Sequence, residues 1–521
     1  MSAVSRMHTP ERQRARAEAQ LSRRNLLGGL GLGIAGTVFL GPGAMAHAAE
    51  SRTLAVPAGR FGRMFPDLPP FMPANDATRT AMSAMGAPGG LLDANDDLAA
   101  GPIELIIDPD LSLNNRDNPT HTAGTTFFGQ FLDHDMTFDT TSPLGFPTPP
   151  EDSPNARTPA FDLDSVYGGG PAADPELYQP DLVRLRIESG GLFEDLPRTS
   201  DNQAVIGDPR NDENAIISGL QAAFILFHNA VVAHLQDEGF SGDLFLEARR
   251  IVTWHYQWII VHEFLPLFIG QPLVDDIFSR GRRFYRPEPG PAFIPIEFQL
   301  GYRFGHSMVR PSYRLNLAGD DGGPFFGMIF DPAGEGQPDP VDLRGGARAP
   351  RRFVGWQTFF DFDDGEVRPN KRIDTVLSTP LFRLPLGTIP DSSPPVVLPE
   401  RNLLRHLTWE APAGQLIAIE MGNRKFNTPE LSGFSGELVQ RTPLWYYFLA
   451  EAERFADGLT LGPTGGRVVG EVFAGLLELD PSSYLSVEPT WQPTLPSRTP
   501  GDFRITDLLR FAGVDPASRG Q

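Results

Sequence analysis

Residues 129–135 read Gly-Gln-Phe-Leu-Asp-His-Asp, and phenylalanines crowd the same turns. The apolar residues recur at helical spacing, which predicts a buried helix of one or two turns. Gln130, Asp133 and His134 stand at positions i, i+3 and i+4, so a helix places all three on one face. Asp135 is rotated by about a further 100° and faces elsewhere. Burying three unpaired polar groups costs several kcal/mol, so the pattern favours a functional site over a surface helix with a charged stripe.

The composition excludes several classes of site. The 521 residues contain no cysteine, which removes disulfides, thiolate metal sites and cysteine nucleophiles. The formal net charge of −21 argues against binding to nucleic acid or to anionic lipid. Only Lys371 and Lys425 are lysines among the 44 basic residues, a bias typical of GC-rich bacterial coding sequences.

Residues 1–48 have the pattern of an export signal. Arg23 and Arg24 precede an apolar run from Leu26 to Leu40, and small residues follow at 46–48, as in a twin-arginine signal. We therefore expect an exported bacterial protein, either periplasmic or extracellular. No later stretch has 18 consecutive apolar residues, so no stable membrane span is expected in the mature chain.

The rest of the chain predicts one large helical domain. Residues 49–115 are rich in Pro, Gly and Asp without a strong period, which predicts an N-terminal arm lying over a main domain at 116–515. Strand signals are scarce and loops are long, so the fold class is mainly α, a large single domain with little β. Further helices are predicted at 216–235 (capped by Asn211 or Asp212), 244–267, 296–309, 398–407, 413–421, 442–455 and 505–511.

Two smaller patterns have ordinary structural explanations. Asp162 and Asp164 point the same way in an extended chain, which is a weak signal for a cation because paired Asp before Gly is more often a turn. His228, His255 and His262 are interpreted as packed helix histidines, since no carboxylate stands at the spacing of a zinc protease motif.

Glycines near His306 point to a flat neighbour. Gly301 and Gly305 lie in a predicted helix, where each costs about 1 kcal/mol relative to Ala. They are explained if something flat packs against the helix beside His306.

Four segments together resemble the animal-type haem peroxidase superfamily, which includes myeloperoxidase, lactoperoxidase and peroxidasin. They are residues 129–135, Arg-Asn-Asp-Glu at 210–213, Arg-Phe-Gly-His at 303–306 and Leu-Pro-Glu-Arg-Asn-Leu-Leu-Arg at 398–405. The resemblance spans roughly residues 110–455. It implies a haem b enzyme that reduces hydrogen peroxide and oxidises small organic or halide donors, with calcium as a second cofactor.

The resemblance assigns roles around the peroxide. His134 resembles the family's distal base, Gln130 the residue that bonds distal water, and Arg210 the distal arginine. Asp133 and Glu213 resemble the carboxylates that form esters to the haem. A neutral imidazole suits proton transfer near neutral pH, and an arginine can stabilise the charge that develops as the O–O bond breaks.

The resemblance also assigns roles to residues on the side of the haem that carries the iron ligand. His306 is similar to the iron ligand, Arg303 and Arg405 to the residues that contact propionates, and Asn402 to the residue that bonds the iron ligand. The Arg-Asp-His-Gly sequence that follows in the animal enzymes is absent after Arg405. The calcium ligands carry over as Asp135, Thr158, the backbone of Ala160, Asp162 and Asp164.

The residues leave other functions open. Myeloperoxidase has a haem-bonding methionine where this chain has Asn214, so we do not expect efficient chloride oxidation; phenols, halides and thiocyanate are otherwise not distinguished. A fatty-acid dioxygenase of the same superfamily is one alternative, but these enzymes place a radical tyrosine three residues before the iron ligand, where this chain has Arg303. A non-catalytic exported adhesive or matrix protein is another. The oligomeric state is not readable.

Overall fold

Helices of very different lengths, joined by long loops, make up the fold. The computed structural model describes residues 59–139, 141–287, 290–389 and 394–521, so the predicted export signal and the first residues of the arm lie outside it. The described α-helices are α1 (Asp76–Met85), α2 (Glu104–Ile107), α3 (Ala123–Met136), α4 (Asp164–Tyr167), α5 (Ala215–Asp237), α6 (Leu244–Ile259), α7 (Leu265–Ile269), α8 (Gln271–Arg280), α9 (Ile296–Gly301), α10 (Leu398–Thr408), α11 (Gly414–Glu420), α12 (Leu444–Ala456), α13 (Pro463–Glu478), α14 (Tyr484–Val487) and α15 (Ile505–Phe511).

Strands are short and occur only in two-stranded pairs within the described ranges. They are β1 (Phe61–Gly62), β2 (Asp117–Thr122), β3 (Glu188–Ser189), β4 (Glu194–Asp195), β5 (Ile294–Pro295), β6 (Ser312–Arg314), β7 (Phe326–Met328) and β8 (Pro369–Lys371). β1 pairs with β5 in parallel, whereas β2 with β8, β3 with β4 and β6 with β7 are antiparallel. The mainly α class predicted from the sequence is confirmed.

The helix that carries residues 129–135 lies at the centre of the core. α3 is 14 residues long, longer than the one or two turns predicted, because it starts directly after β2. Gly124 permits this junction, since a Cβ there would stand 2.5 Å from the Phe360 ring. Phe131 stacks on Phe224 of α5 with 4.6 Å between ring centroids. The apolar face of α3 is therefore fixed against α5, and its polar face is held at a defined angle.

The start of α5 differs from the prediction. Asn214, not Asn211 or Asp212, caps the helix, and its side chain accepts from the amides of Ile216 and Ile217. Asn211 and Asp212 belong to a preceding 3₁₀ turn, Pro209–Asp212, which Asp208 caps. This turn frees Asn211 and Asp212 for tertiary contacts.

The long helix predicted at 244–267 is interrupted. α6 ends at Ile259, a π-helical segment covers Ile260–Phe264, and α7 continues to Ile269. His228 and His255 are fully buried, as interpreted from the sequence. His262 is instead exposed and stacks on Trp258 with 3.7 Å between ring centroids.

One apolar helix among the described residues meets the length and composition of a membrane span. It is α5, with a mean hydropathy of 1.7, and 83% of that apolar stretch is buried inside the protein. Its apolar surface is thus already covered by the core.

The N-terminal arm is more structured than its composition indicated. α1 lies within it and packs on α10. Phe61 and Phe71 are fully buried, and the amides of Met64 and Phe65 donate to the buried carboxylate of Glu297. These residues form part of the core and do not merely lie over it.

The sequence also failed to indicate α8 and α13. Four glycines interrupt the periodicity of α13. They allow close helix packing, since a Cβ at Gly470 would stand 2.6 Å from both Ile269 and Ile277.

Candidate active site

The polar face of α3 lines a cavity of about 280 Å³. Gln130, Asp133 and His134 all face it, whereas Asp135 points away and accepts from the amide of Leu163 and the hydroxyl of Tyr256. The helical spacing therefore predicted correctly which side chains share a face and which one leaves it.

His306 lines the same cavity. It belongs to a 3₁₀ segment, Tyr302–Met308, that continues α9. Gly305 has no heavy atom within 4 Å of the position a Cβ would take, so it borders open space. Gly301 has a different reason, because a Cβ there would stand 2.4 Å from the Phe448 ring. The flat neighbour of Gly301 is thus the Phe448 ring, whereas the prediction for Gly305 stays open because that glycine borders open space.

His134 is held as a neutral imidazole. Its Nδ1 lies 2.8 Å from Asn211 Oδ1. Burial, helped by the charge of Arg210, lowers the pKa of His134 to about 3. The imidazole is therefore unprotonated at neutral pH and can accept a proton.

Arg210 is anchored at the edge of the cavity by a buried ion pair. Its Nε and Nη2 donate to the two oxygens of Asp208 at 3.0 and 2.8 Å, and Nη2 also donates to the carbonyl of Thr137. The guanidinium lies over the Phe138 ring, 4.3 Å from the centroid. Burial tends to raise the pKa of Asp208, but Arg210 and Arg157 outweigh it and hold this pKa well below its usual range.

Two further carboxyl groups face the cavity. Asp133 accepts from the Thr137 hydroxyl at 3.1 Å, and burial raises its pKa. Glu213 accepts a hydrogen bond from Gln130, and burial, with the charges of Asp208 and Asp133, raises its pKa to about 8. The amide of Gln130, expected on distal water, is thus engaged with Glu213.

A polar chain connects His306 to two further predicted residues. The Asn402 amide nitrogen lies 2.8 Å from His306 Nδ1, and Asn402 Oδ1 accepts from Arg303 at 3.1 Å. The contact at Nδ1 leaves Nε2 as the nitrogen available to a metal. A metal there requires Nδ1 to carry the proton, and hence the Asn402 amide to turn so that its oxygen accepts.

The residues fit an anionic, metal-bearing group. Arg303 is partly buried and lines the cavity, and its buried Nε has no hydrogen-bond partner among the described residues. Burial lowers the pKa of Arg303 to about 10, so it is still charged at neutral pH. Arg405 lines the cavity too and pairs with Asp139 at 3.0 Å. An imidazole, an unsatisfied guanidinium and open space beside Gly305 are what a porphyrin with acidic side chains requires.

Three aspartates, one fully buried and two partly buried, form a separate cluster behind α3. Oxygens of Asp135, Asp162 and Asp164 all lie within 4.8 Å of one another. The chain here is not extended, as the sequence suggested, but turns at Leu163, which has a φ of 57°. Burial, together with the mutual repulsion of the carboxylates, raises the pKa of all three.

The aspartate cluster fits a hard cation. The predicted ligands Thr158 and Ala160 are in the adjoining loop, and the amide of Thr158 donates to Asp164 at 2.9 Å. Arg157 offsets one of the three charges, since its Nη1 lies 3.4 Å from Asp164. Carboxylate and carbonyl oxygens are the ligands that calcium prefers.

Calcium is expected to stabilise the protein through this cluster. A cation that binds only the folded state raises the unfolding temperature with its concentration, because it relieves the repulsion between buried carboxylates. The unfolding temperature is measured by calorimetry on chelated protein, before and after calcium is added back. Asp162→Asn should remove most of the rise that calcium causes in the wild type. Asp237→Asn, at the exposed end of α5, is the matched control. Equal rises in the wild type and Asp162→Asn would reject a calcium site here.

Sequence reasoning missed the residues that support the site. The sequence suggested only a capping role for Asn211, and it suggested no role for Asp208 or Arg157. A signal was available for Asp208, because an Asp directly before Pro at a turn start is a common cap. No sequence signal pointed to the contact of Asn211 with His134, which depends on tertiary structure.

Comparisons with known proteins agree with this geometry. The animal haem peroxidase family model matches residues 144–323, a segment that holds Arg210 and His306 but not His134 or Asn402. Mouse eosinophil peroxidase is 34% identical over 186 residues, which cover 31% of this chain and 26% of that protein. Chorion peroxidase of Aedes aegypti is 23% identical over 373 residues, which cover 67% of this chain and 44% of that protein. The chain thus spans less than half the length of both relatives.

Solved structures share the fold. Peroxidase A from Dictyostelium discoideum has a TM-score of 0.58 at 15% identity, covering 87% of this chain and 93% of that one. Fatty acid α-dioxygenase from Arabidopsis thaliana has a TM-score of 0.56 at 16% identity, covering 89% and 77%. Residues 144–323 of this chain match the animal haem peroxidase family model, its curated relatives are peroxidases, and its fold is that of solved peroxidase and dioxygenase structures.

Proposed function

We propose that this chain is a haem peroxidase that reduces hydrogen peroxide and oxidises small organic or halide donors. The single observation that carries this proposal is that two neutral imidazoles, His134 and His306, line one cavity, with Arg210 held beside His134 by its ion pair with Asp208. One imidazole can bind a metal while the other handles protons.

Bound haem would supply a redox-active iron at which the O–O bond of peroxide is broken. His306 would bind that iron through Nε2, and Arg303 and Arg405 would hold the acidic side chains of the porphyrin. Asn402 would accept from His306 Nδ1, which fixes the ring orientation and raises its basicity as a ligand.

His134 would move the proton that peroxide cleavage requires. Its unprotonated ring nitrogen would take a proton from the oxygen nearer the iron and return it to the leaving oxygen, which departs as water. Arg210 would stabilise the negative charge on the leaving oxygen. Since Asp208 and two backbone carbonyls hold the guanidinium, it needs no reorganisation during the step.

Asp133 and Glu213 would attach the haem covalently by ester bonds to its methyl groups, an oxidation for which hydrogen peroxide would be the electron acceptor. Both carboxyl groups line the cavity; burial raises the pKa of Asp133 and raises that of Glu213 to about 8. Wild-type protein denatured in acidified organic solvent should retain at least part of its haem. The double variant Asp133→Asn, Glu213→Gln should release all of it. Complete release from the wild type would reject the esters.

A dioxygenase is the second candidate, supported by the shared fold with fatty acid α-dioxygenases. The cavity-lining tyrosine is Tyr302, whose hydroxyl donates to the carbonyl of Gly129 at 3.1 Å. A backbone carbonyl is a poor proton acceptor, so this contact does not favour a radical at Tyr302, and Arg303 holds the position three residues before His306.

The deciding experiment uses protein produced with haem available. A peroxidase should show a Soret band, should change its spectrum on addition of peroxide, and should oxidise a phenolic donor only when peroxide is present. Consumption of oxygen with a fatty acid, without peroxide, would instead establish the dioxygenase. The absence of a Soret band would reject both the peroxidase and the dioxygenase, and would favour a non-catalytic adhesive or matrix protein.

A further inference from the structure

A 3₁₀ turn presents three successive polar side chains, Arg210, Asn211 and Asp212, behind His134. The turn is Pro209–Asp212, and Asp208 caps it. Arg210 faces the cavity, and Asp212 pairs with Arg198 at 2.7 Å on the other side. Asn211 is fully buried and its carbonyl oxygen meets His134 Nδ1. Asn211 is thus the residue of the turn that contacts the imidazole itself.

A second amide fixes the orientation of Asn211. Asn211 Nδ2 donates to Gln221 Oε1 at 2.8 Å, and Gln221 is buried on α5. An asparagine that donates through its nitrogen on one side must present its oxygen on the other. That oxygen can only accept, so the proton of neutral His134 is on Nδ1.

We infer that Asn211 is a positioning residue that holds His134 in the tautomer whose Nε2 is unprotonated. This inference rests on the proposed function, because that nitrogen is the one that takes the proton of peroxide. If Nδ1 instead accepted a hydrogen bond, Nε2 would carry the proton and His134 could not act as a base. The hydrogen bond from Asn211 to Gln221 opposes that state, because turning the Asn211 amide would require the Gln221 amide to turn with it.

Cyanide binding tests the inference without turnover. Hydrogen cyanide must give up its proton as it binds ferric haem, and a distal base accepts it, so the association rate reports the state of His134. The rate is followed by the shift of the Soret band in haem-loaded protein between about pH 3 and 8, a range that includes the pKa of about 3 to which burial lowers His134. Urea unfolding of each variant, measured in parallel, separates effects on the tautomer from effects on stability.

Two substitutions at Asn211 should act in different ways. Asn211→Leu keeps the volume but removes the acceptor, so the association rate should fall by about tenfold or more. Asn211→Asp keeps an acceptor, so the rate at pH 8 should stay within about threefold of wild type. Its negative charge favours the protonated imidazole, so the acid limb of the pH profile should move to higher pH by about one unit or more. The charges of Arg210, Asp208 and Arg157 act on His134, and the titratable carboxyl groups of Asp133 and Glu213 line the same cavity. Neither variant alters any of them.

The matched control is Asn229→Leu on α5. Asn229 bonds the backbone of Leu185 and does not line the cavity, so this variant should lose stability and keep the wild-type cyanide rate. An unchanged rate in Asn211→Leu would overturn the inference. Should that variant not fold, an unshifted acid limb in Asn211→Asp would overturn it equally. Wild-type protein that binds no cyanide would reject the proposed function instead.

Discussion

His134→Ala should lower the rate of peroxide-dependent oxidation by roughly 10²-fold or more while the protein keeps its haem. The base is lost, but His306 and the arginines that would hold the cofactor are untouched. The measurement is the initial rate of donor oxidation at fixed peroxide, normalised to haem by the Soret band. His262→Ala is the matched control, because that histidine is exposed on Trp258 and does not line the cavity.

The pH dependence gives an independent check on the same residue. Because the pKa of His134 is lowered to about 3, the imidazole is already unprotonated at pH 5. The wild-type rate should therefore be flat between pH 5 and 8 and fall only in stronger acid. An acid limb near the ordinary histidine pKa of about 6.5 that is lost in His134→Ala would contradict the lowered pKa. The same limb still present in His134→Ala, or a wild-type rate in that variant, would remove His134 from the mechanism.

Asp208→Asn should lower the free energy of unfolding by roughly 3–5 kcal/mol and also reduce activity. Asp208 is fully buried between Arg157 and Arg210, and removing one member of a buried ion pair leaves uncompensated charge. The folded-state pKa of Asp208 lies below the unfolded value of about 3.9. Its stabilising contribution is therefore complete above that pH and is lost only as the pH falls towards the folded pKa.

Urea unfolding at pH 7 thus measures the whole effect of Asp208→Asn. The control is Glu188→Gln, which removes a half-exposed pair with Arg186 and should change stability very little, since exposed pairs contribute little. The activity loss should exceed what the unfolded fraction explains, because Arg210 loses its anchor. Wild-type stability in Asp208→Asn would show that solvent or another acid compensates these arginines.

Local sequence patterns predicted which side chains of α3 face the cavity. The spacing within α3 correctly separated Asp133 and His134 from Asp135, because helical geometry alone determines which side chains share a face. The bounds predicted for α15, residues 505–511, are also those observed. The arrangement of these faces around a cavity depends on packing between distant segments, which periodicity does not describe.

The errors also have physical reasons. The capping of α5 was placed at Asn211 or Asp212, because both are good caps by type, but the 3₁₀ turn before it shifts the cap to Asn214. The periodicity of α13 was hidden by glycines that permit close approach to Ile269 and Tyr285. Gly301 was explained by an unspecified flat neighbour beside His306, and in the structure that neighbour is the aromatic ring of Phe448. In each case tertiary contacts override a local preference.

The pairing of the N-terminal segment has a consequence for biosynthesis. Phe61 pairs with Ile294, the amides of Met64 and Phe65 donate to Glu297, and the amide of Phe71 donates to the carbonyl of Ala411 at 2.8 Å. During synthesis, Phe61 and Met64 leave the ribosome before their partners, which are more than 230 residues downstream, have been made. Such distant pairings close slowly, so the domain should reach its final fold only after synthesis has passed Ala411, and a chain truncated before it should expose Phe71 to chaperones and proteases.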